Sequence, residues 1–210
     1  MSYAVKEMFY SLQGEGRHTG RPAVFCRFAG CNLWSGREGD RATAACTFCD
    51  TDFVGVDGEG GGRFHDASAL AMAIGRMWGG GRQQRFVVLT GGEPLLQVDG
   101  GLLVAIHELE FEIAVETNGT LRVPREIDWI TVSPKGSTAL VQTNGSELKL
   151  VFPQKGVDPK EFEHLAFDHF LLQPLDGPDR EANTAAAVAY CLNHSRWRLS
   201  LQTHKFMGIR

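Results

Sequence analysis

Three of the chain's five cysteines, Cys31, Cys46 and Cys49, fall in one stretch from Gly30 to Phe53, and Asp50, Thr51 and Asp52 follow the last of them directly. Clustered thiolates are soft ligands, so the stretch reads as a metal or cluster site. The set is one ligand short of the four that a closed structural zinc site uses. Two chemistries fit the gap: zinc completed by a distant histidine such as His18 or His65, or an iron–sulfur cluster with one iron left open. Neither histidine stands at the spacing of zinc fingers or ribbons. Cys26 and Cys191 read as small buried residues of a strand and a helix. Five is an odd number, and Met1–Glu7 has no basic region leading into an apolar run. A disulfide framework is therefore not expected, and a cytoplasmic location is.

Arg27 is the second residue that could do chemistry. Period-2 alternation across Pro22–Ala29 puts Phe25, Arg27 and Ala29 on one face and Val24, Cys26 and Phe28 on the other. A guanidinium among apolar neighbours needs an anion, supplied by the protein or by a ligand.

The elements that position these residues alternate between strand and helix. Strands are expected at Tyr3–Tyr10, Pro22–Ala29, Arg85–Thr90, Glu112–Glu116, Trp129–Val132, Leu148–Phe152, His169–Leu172 and Trp197–Leu201. Helices are expected from an N-cap at Asp66 to the glycines at 79–81, at Leu102–Leu109, as a short piece at Pro159–Leu165, and at Ala182–Leu192. Gly55–Arg63 reads as a flexible linker and lacks the ending of a phosphate loop. Apolar strands alternating with helices imply parallel strands joined by right-handed crossovers. A partial parallel β/α barrel with about six core strands is the preferred fold, and an open doubly wound sheet the alternative. Ligands of such sheets bind at the carboxyl edge, which would gather Gln13, Glu15, Thr90, Glu93, Glu116, Ser133, Lys135 and Gln173 at one mouth beside the cysteines. The length of 210 residues suits one domain, 1–210. Its net charge of -4, mixed along the chain, offers no basic face for nucleic acid, and no run is long and apolar enough to span a membrane.

Taken together, Ser11–Gly16 (SLQGEG), Gly30-Cys31-Asn32, Cys46-x-x-Cys49-Asp50-Thr51, Thr90–Pro94 (TGGEP), Glu116–Gly119 (ETNG), Ser133-Pro134-Lys135 and Gln202–Lys205 (QTHK) resemble the radical S-adenosylmethionine enzymes, and within them the 7-carboxy-7-deazaguanine synthases. The first two cysteines depart from the usual three-residue spacing, because Asn32–Ala45 lies between them. That insertion, with Arg37, Glu38, Asp40 and Arg41, reads as a solvated loop. The resemblance implies a 4Fe–4S cluster on Cys31, Cys46 and Cys49, in a modified loop spanning 31–49. It implies S-adenosylmethionine held by Phe48, Cys49, Asp50, Gly92, Glu116, Ser133, Pro134, Lys135 and Gln173, with Gly92 letting the backbone approach the methionine end. The implied reaction turns 6-carboxy-5,6,7,8-tetrahydropterin into 7-carboxy-7-deazaguanine with loss of ammonia, on the way to queuosine. Leu12, Gln13, Gly14, Glu15, Arg27, Thr90 and Arg210 would bind this substrate, Arg27 through its carboxylate and Arg210 from a short C-terminal tail. Magnesium at Thr51, a reducing donor such as flavodoxin, and a homodimer also follow from the resemblance. The rivals are an activase that places a radical on a partner protein and a structural zinc-binding protein.

Overall fold

The computed structural model describes residues 2–136 and 138–210. Among these residues, nine strands form one sheet: β1 (Tyr3–Leu12), β2 (Pro22–Phe28), β3 (Gly62–Phe64), β4 (Phe86–Gly91), β5 (Glu112–Thr117), β6 (Trp129–Val132), β7 (Asn144–Phe152), β8 (Ala166–Pro174) and β9 (Trp197–Leu199). Their order is β3-β1-β2-β4-β5-β6-β7-β8-β9. From β2 onward every neighbouring pair is parallel, whereas β1 is antiparallel to both β2 and β3. The sheet is open, with β3 and β9 at its edges. Four helices accompany it: α1 (Ala67–Met77), α2 (Gly100–His107), α3 (Arg180–Asn193) and α4 (Thr203–Met207).

One face of the sheet carries the main core. Val24, Cys26 and Phe28 of β2 join Val87, Leu89, Ile113 and Val115 there, under Leu70 and Ile74 of α1 and Leu102, Leu103 and Ile106 of α2. Each such side chain, fully buried, contributes roughly 1.5–3 kcal/mol. Both helices start where the sequence supplies a cap: the Asp66 carboxylate accepts from Ala69 N at 2.8 Å, and Asp99 accepts from Leu102 N at 2.9 Å. A second core, with Leu148, Leu150, Phe170, Leu172 and Trp197, lies under Tyr190 and Cys191 of α3.

The opposite face is divided by polarity along the strands. Toward the amino ends, Phe9, Phe25, Phe86, Val88 and Ala114 pack together with Trp129. The β1–β2 connection lays His18 against Trp129, with ring centroids 4.3 Å apart, and Arg21 over Phe86 at 3.8 Å. Arg21 is held by both oxygens of Glu112. Apolar side chains thus plug that end, and the polar residues of β4, β5, β7 and β8 are left facing a space at the carboxyl end.

Two expectations need correcting. Gly55–Arg63 is no free linker: Glu59 O accepts from Met8 N at 2.7 Å, Gly58 N donates to Lys6 O at 2.9 Å, and the segment runs into β3. The outer edge of β1 needs backbone partners, and this segment provides them. The insertion between the first two cysteines is mostly exposed, as a solvated loop should be, and carries a 3-10 turn, Glu38–Thr43. The C-terminal stretch forms α4, docked by hydrogen bonds from Thr203 N and Oγ1 to Gly14 O.

Candidate active site

At the carboxyl edge, the end of β2 and the turn after β4 meet at two glycines. A Cβ on Gly92 would stand 2.2 Å from Gly30 O and 2.7 Å from Cys31 Cβ, and one on Gly91, at φ 143°, would stand 2.3 Å from Phe28 O. The close approach that Gly92 permits is therefore to the start of the cysteine loop. Glu93, which follows, is fully buried. Its carboxylate accepts from Thr117 Oγ1, Asn118 N and Leu95 N at 2.8–3.1 Å, tying the ends of β4 and β5 together. Burial pushes its pKa up in spite of these donors. Glu93 thus stands in the rim as a brace and lies outside the cavity wall.

The cysteine loop closes over this edge. Cys46 is close enough to donate to Cys49, which holds the Cys49 thiol below its ordinary value, while burial raises that of Cys31. Arg41 of the insertion donates to Thr47 O at 3.1 Å and Cys49 O at 3.0 Å, and its guanidinium lies 4.0 Å over the Trp34 ring. The insertion, solvated over most of its length, braces the C-x-x-C segment through Arg41. His18 and His65, the distant candidates for a fourth zinc ligand, lie elsewhere: His18 is in the amino-end plug and His65 is exposed beside Asp66.

A cavity of about 450 Å³ fills the carboxyl end. Most of the residues singled out by sequence converge on it. From the cysteine loop come Cys46, Phe48, Cys49, Asp50 and Thr51; from the turn after β1, Leu12, Gln13, Gly14 and Glu15. Arg27, Thr90, Gly92 and Glu116 line it from β2, β4 and β5, and Ser133, Lys135 and Gln173 from the ends of β6 and β8. Arg210 closes one side. Cys31 is outside this wall, and Pro134 is buried behind it, its carbonyl accepting from Gln154 Nε2.

Convergence comes about differently from expectation for Gln13 and Glu15. Because β1 is antiparallel, Leu12 pairs with Pro22 at the amino end of β2, so the segment after it does not extend the carboxyl rim. It crosses the open face instead. Gln13 Nε2 donates to Glu116 Oε1 at 3.1 Å, and Glu15 is bonded to Lys149 of β7. Gly14 is required here, since a Cβ would stand 2.2 Å from His204 Nδ1.

Arg27 does face the cavity, and the protein itself supplies an anion: Nε donates to Glu7 Oε1 at 2.9 Å. Glu7 also pairs with Arg210, whose guanidinium lies 4.6 Å over Phe9 and whose carbonyl accepts from Ser11 Oγ at 2.7 Å. Lys135 Nζ donates to Ser133 Oγ at 2.6 Å and lies 5.8 Å over the Phe48 ring. Burial lowers the Lys135 pKa against the opposing pull of Cys46 and Cys49. Gln173 Oε1 is buried and has no hydrogen-bond partner among the described residues.

Sequence reasoning missed Lys149, Glu7 and His204 as cavity residues. A signal existed for two of them. Glu147 and Lys149 alternate with Leu148 and Leu150, and Glu7 and Phe9 with Met8, the period that places both on the open face. His204 lies in a quoted string, but only the docking of α4 brings it to the wall.

An open, mainly parallel sheet with three thiols at its carboxyl edge, above a polar cavity, defines a radical S-adenosylmethionine enzyme, and the sequence profile of the Radical SAM superfamily matches residues 39–139. Curated relatives narrow the class. The 7-carboxy-7-deazaguanine synthase of Bordetella pertussis is 65% identical over 209 residues, and that of Caulobacter vibrioides 61%, each alignment covering 100% of both chains. Among solved structures, the crystal structure of QueE from Escherichia coli superposes with a TM-score of 0.72 at 27% identity, covering 96% of this chain and 94% of that one. The chain belongs to the 7-carboxy-7-deazaguanine synthase family.

Membership of the superfamily implies S-adenosylmethionine and a 4Fe–4S cluster. The residues present fit both. Cys46 and Cys49 line the cavity and Cys31 begins the same loop beside Gly92, three soft thiols of the kind an iron–sulfur cluster takes. The unpartnered Gln173 oxygen and the Lys135–Phe48 pair supply an acceptor, a cation and a ring surface in the same wall, the polar and aromatic groups that a charged nucleoside derivative needs. No helix is long and apolar enough to cross a membrane among the described residues.

Proposed function

We propose that the protein converts 6-carboxy-5,6,7,8-tetrahydropterin to 7-carboxy-7-deazaguanine and ammonia, a redox-neutral ring contraction. The observation that carries this reading is the cavity itself. It joins the cysteine loop at one end to a guanidinium, Arg27, and a carboxylate-lined wall at the other, in a volume suited to one small polar molecule beside a nucleoside. Cluster and S-adenosylmethionine, when bound, supply hydrogen-atom abstraction. The chain itself binds, orients and excludes water.

Arg27 takes the substrate carboxylate through the guanidinium nitrogens that Glu7 leaves free, while Glu7 keeps the guanidinium aimed along the strand. Leu12, Gln13, Gly14, Glu15 and Thr90 meet the polar ring edge, and Arg210 closes the mouth. Phe48, Cys49, Asp50, Gly92, Glu116, Ser133, Pro134, Lys135 and Gln173 form the S-adenosylmethionine side. Thr51, in the same cavity wall, would take Mg²⁺, where a single hydroxyl leaves most of the coordination to substrate oxygens and water. A flavodoxin-like reductant, a homodimer, a cytoplasmic location and a single catalytic domain over 1–210 complete the proposal. A cavity of about 450 Å³ lined by Arg27, Glu15 and Glu116 favours a small charged molecule over the protein substrate of an activase.

Anaerobic incubation with the carboxypterin, S-adenosylmethionine, a reductant and Mg²⁺ should release the carboxydeazaguanine and ammonia in equal amounts. A brown, fully iron-loaded protein that forms neither product would overturn the assignment. Alanine at Cys31, Cys46 or Cys49 should abolish the colour, and alanine at Cys26 or Cys191 should leave it.

A further inference from the structure

The buried ammonium of Lys149 is a charged group of the cavity wall to which the family resemblance gives no role. It stands in the middle of β7, its side chain 5% exposed, with Leu148 and Leu150 turned the other way into the core. Three carboxylates surround it. Glu15, from the turn after β1, is bonded to Nζ; Glu116 Oε1, from β5, is 3.6 Å away; and Glu147, two residues back on the same strand, acts on it through space. Glu147 is satisfied elsewhere, by Thr131 Oγ1 and Arg17 N, both at 2.9 Å. Glu15 and Glu116 are the two that face the cavity. Gln202 Nε2 donates to Glu15 Oε1 at 2.9 Å, and Gln13 Nε2 to Glu116 Oε1. Glu116 Oε2 has no protein donor among the described residues.

Two carboxylates facing one cavity repel each other, so they hold a common wall only with a cation between them. We propose that Lys149 is a positioning residue: it holds Glu15 and Glu116 in register, and thereby fixes that wall as the acceptor for a ring edge rich in N–H donors, such as the amino-pyrimidinone edge of a pterin. This rests on the pterin reading above, and it moves Glu116 from the cofactor side to the substrate side. Arg27 would then hold the carboxylate end of the same molecule and the Lys149 wall the amino end, so the two set its direction. Burial alone would raise the Glu15 carboxyl; Lys149, Gln202 and His204 together bring it down to about 2. Lys135 is the other cation that faces Lys149.

The test uses the cluster-loaded enzyme, with wild-type turnover of the carboxypterin as the reference; if wild type is inactive, the pterin reading fails and this inference is not what failed. In Lys149→Met, the substrate KM should rise by at least about tenfold, the cost of losing hydrogen bonds to charged groups, while kcat and the Kd for S-adenosylmethionine stay within about twofold. The variant's KM should fall as pH rises, because Glu15 has lost the cation that holds its carboxyl down, whereas wild type stays flat. Lys149→Arg should recover most of the affinity. If Lys149→Met does not fold, Lys149→Met combined with Glu15→Gln removes the unpaired charge; folding regained with KM still high supports the proposal. A KM like that of wild type in either folded variant, or a change confined to S-adenosylmethionine binding, overturns it.

Discussion

Gly92 shows how one backbone position serves the chemistry by serving the packing. A Cβ added to it would run into Gly30 O and Cys31 Cβ, and Glu93 N donates to Gly30 O at 3.0 Å. A methyl group there meets backbone on a rigid strand end, with no flexible side chain to give way. Gly92→Ala should therefore cost about 1–3 kcal/mol by overpacking and displace the first cysteine. The measurements are thermal unfolding and iron content after anaerobic reconstitution, and both should fall; unchanged iron would place the constraint elsewhere. Glu93 makes the complementary case. As the acceptor for Thr117, Asn118 and Leu95 it cannot be replaced by Gln without turning an amide nitrogen toward a backbone N–H. Glu93→Gln should destabilise by about 1–3 kcal/mol, read in the same unfolding experiment, with the Arg27 end of the cavity unaffected.

Two elements that carry no amphipathic pattern turn out to hold the cysteine loop in place. The 3-10 turn Glu38–Thr43 presents Arg41 to the carbonyls of Thr47 and Cys49. Helix α4, of five residues, presents Lys205 to Asp50 at 2.8 Å and to Asp176 at 2.6 Å. One grips the loop from the insertion, the other from the C-terminal segment. Arg41→Ala should leave cluster assembly possible but speed iron loss to a chelator, and the equivalent lysine should not restore retention, since only a planar guanidinium can give Nη1 to both carbonyls, hold Glu38 with Nε and Nη2, and lie on Trp34 at once. Lys205→Ala should change global stability by no more than about 1 kcal/mol, as half-exposed pairs do, yet raise amide exchange in 203–210. Legibility divides along the same line. The strands β4 and β5 and helices α1 and α2 could be read because near-continuous apolar runs and capped periodic ones are local signals. Strand β3 and helix α4 could not, for they are short and owe their form to partners far away in sequence. The direction of β1 was within reach: its link to β2 is too short for a parallel crossover.

At the scale of the whole molecule, the cavity is also a store of charge that the folded chain must keep paired. Gln13, Glu15, Gln202 and His204 lie in the chain's first and last quarters, Glu116 and Lys149 in its middle, and the contacts among them join β1, β5, β7 and α4 across the open face. The strings that bear these residues could be recognised in the sequence, but not their mutual bonds, because an ion pair between positions 15 and 149 leaves no periodic trace. The pairing makes stability depend on pH in a definite direction. The Glu15 carboxyl, ordinarily near 4.5, is held at about 2 in the fold. A group depressed in this way contributes its stabilisation in full above 4.5, and that contribution is lost as pH falls toward 2. Lys149 is shifted the other way, above its ordinary 10.5, so its contribution is complete below that value and fades only on strong alkalinisation. Between the two limits the pair is fully ionised. A shift of the Glu15 size corresponds to about 3 kcal/mol at neutral pH. Thermal unfolding measured at successive pH values below about 5 should therefore show a steeper loss of Tm for wild type than for Glu15→Gln, which has no carboxylate to protonate. Comparing the two proteins under identical conditions cancels the acid sensitivity of the cluster common to both. Parallel acid slopes would mean that the fold does not depress the Glu15 carboxyl, and the charged wall of the cavity would have to be redrawn around Lys149 and Glu116 alone.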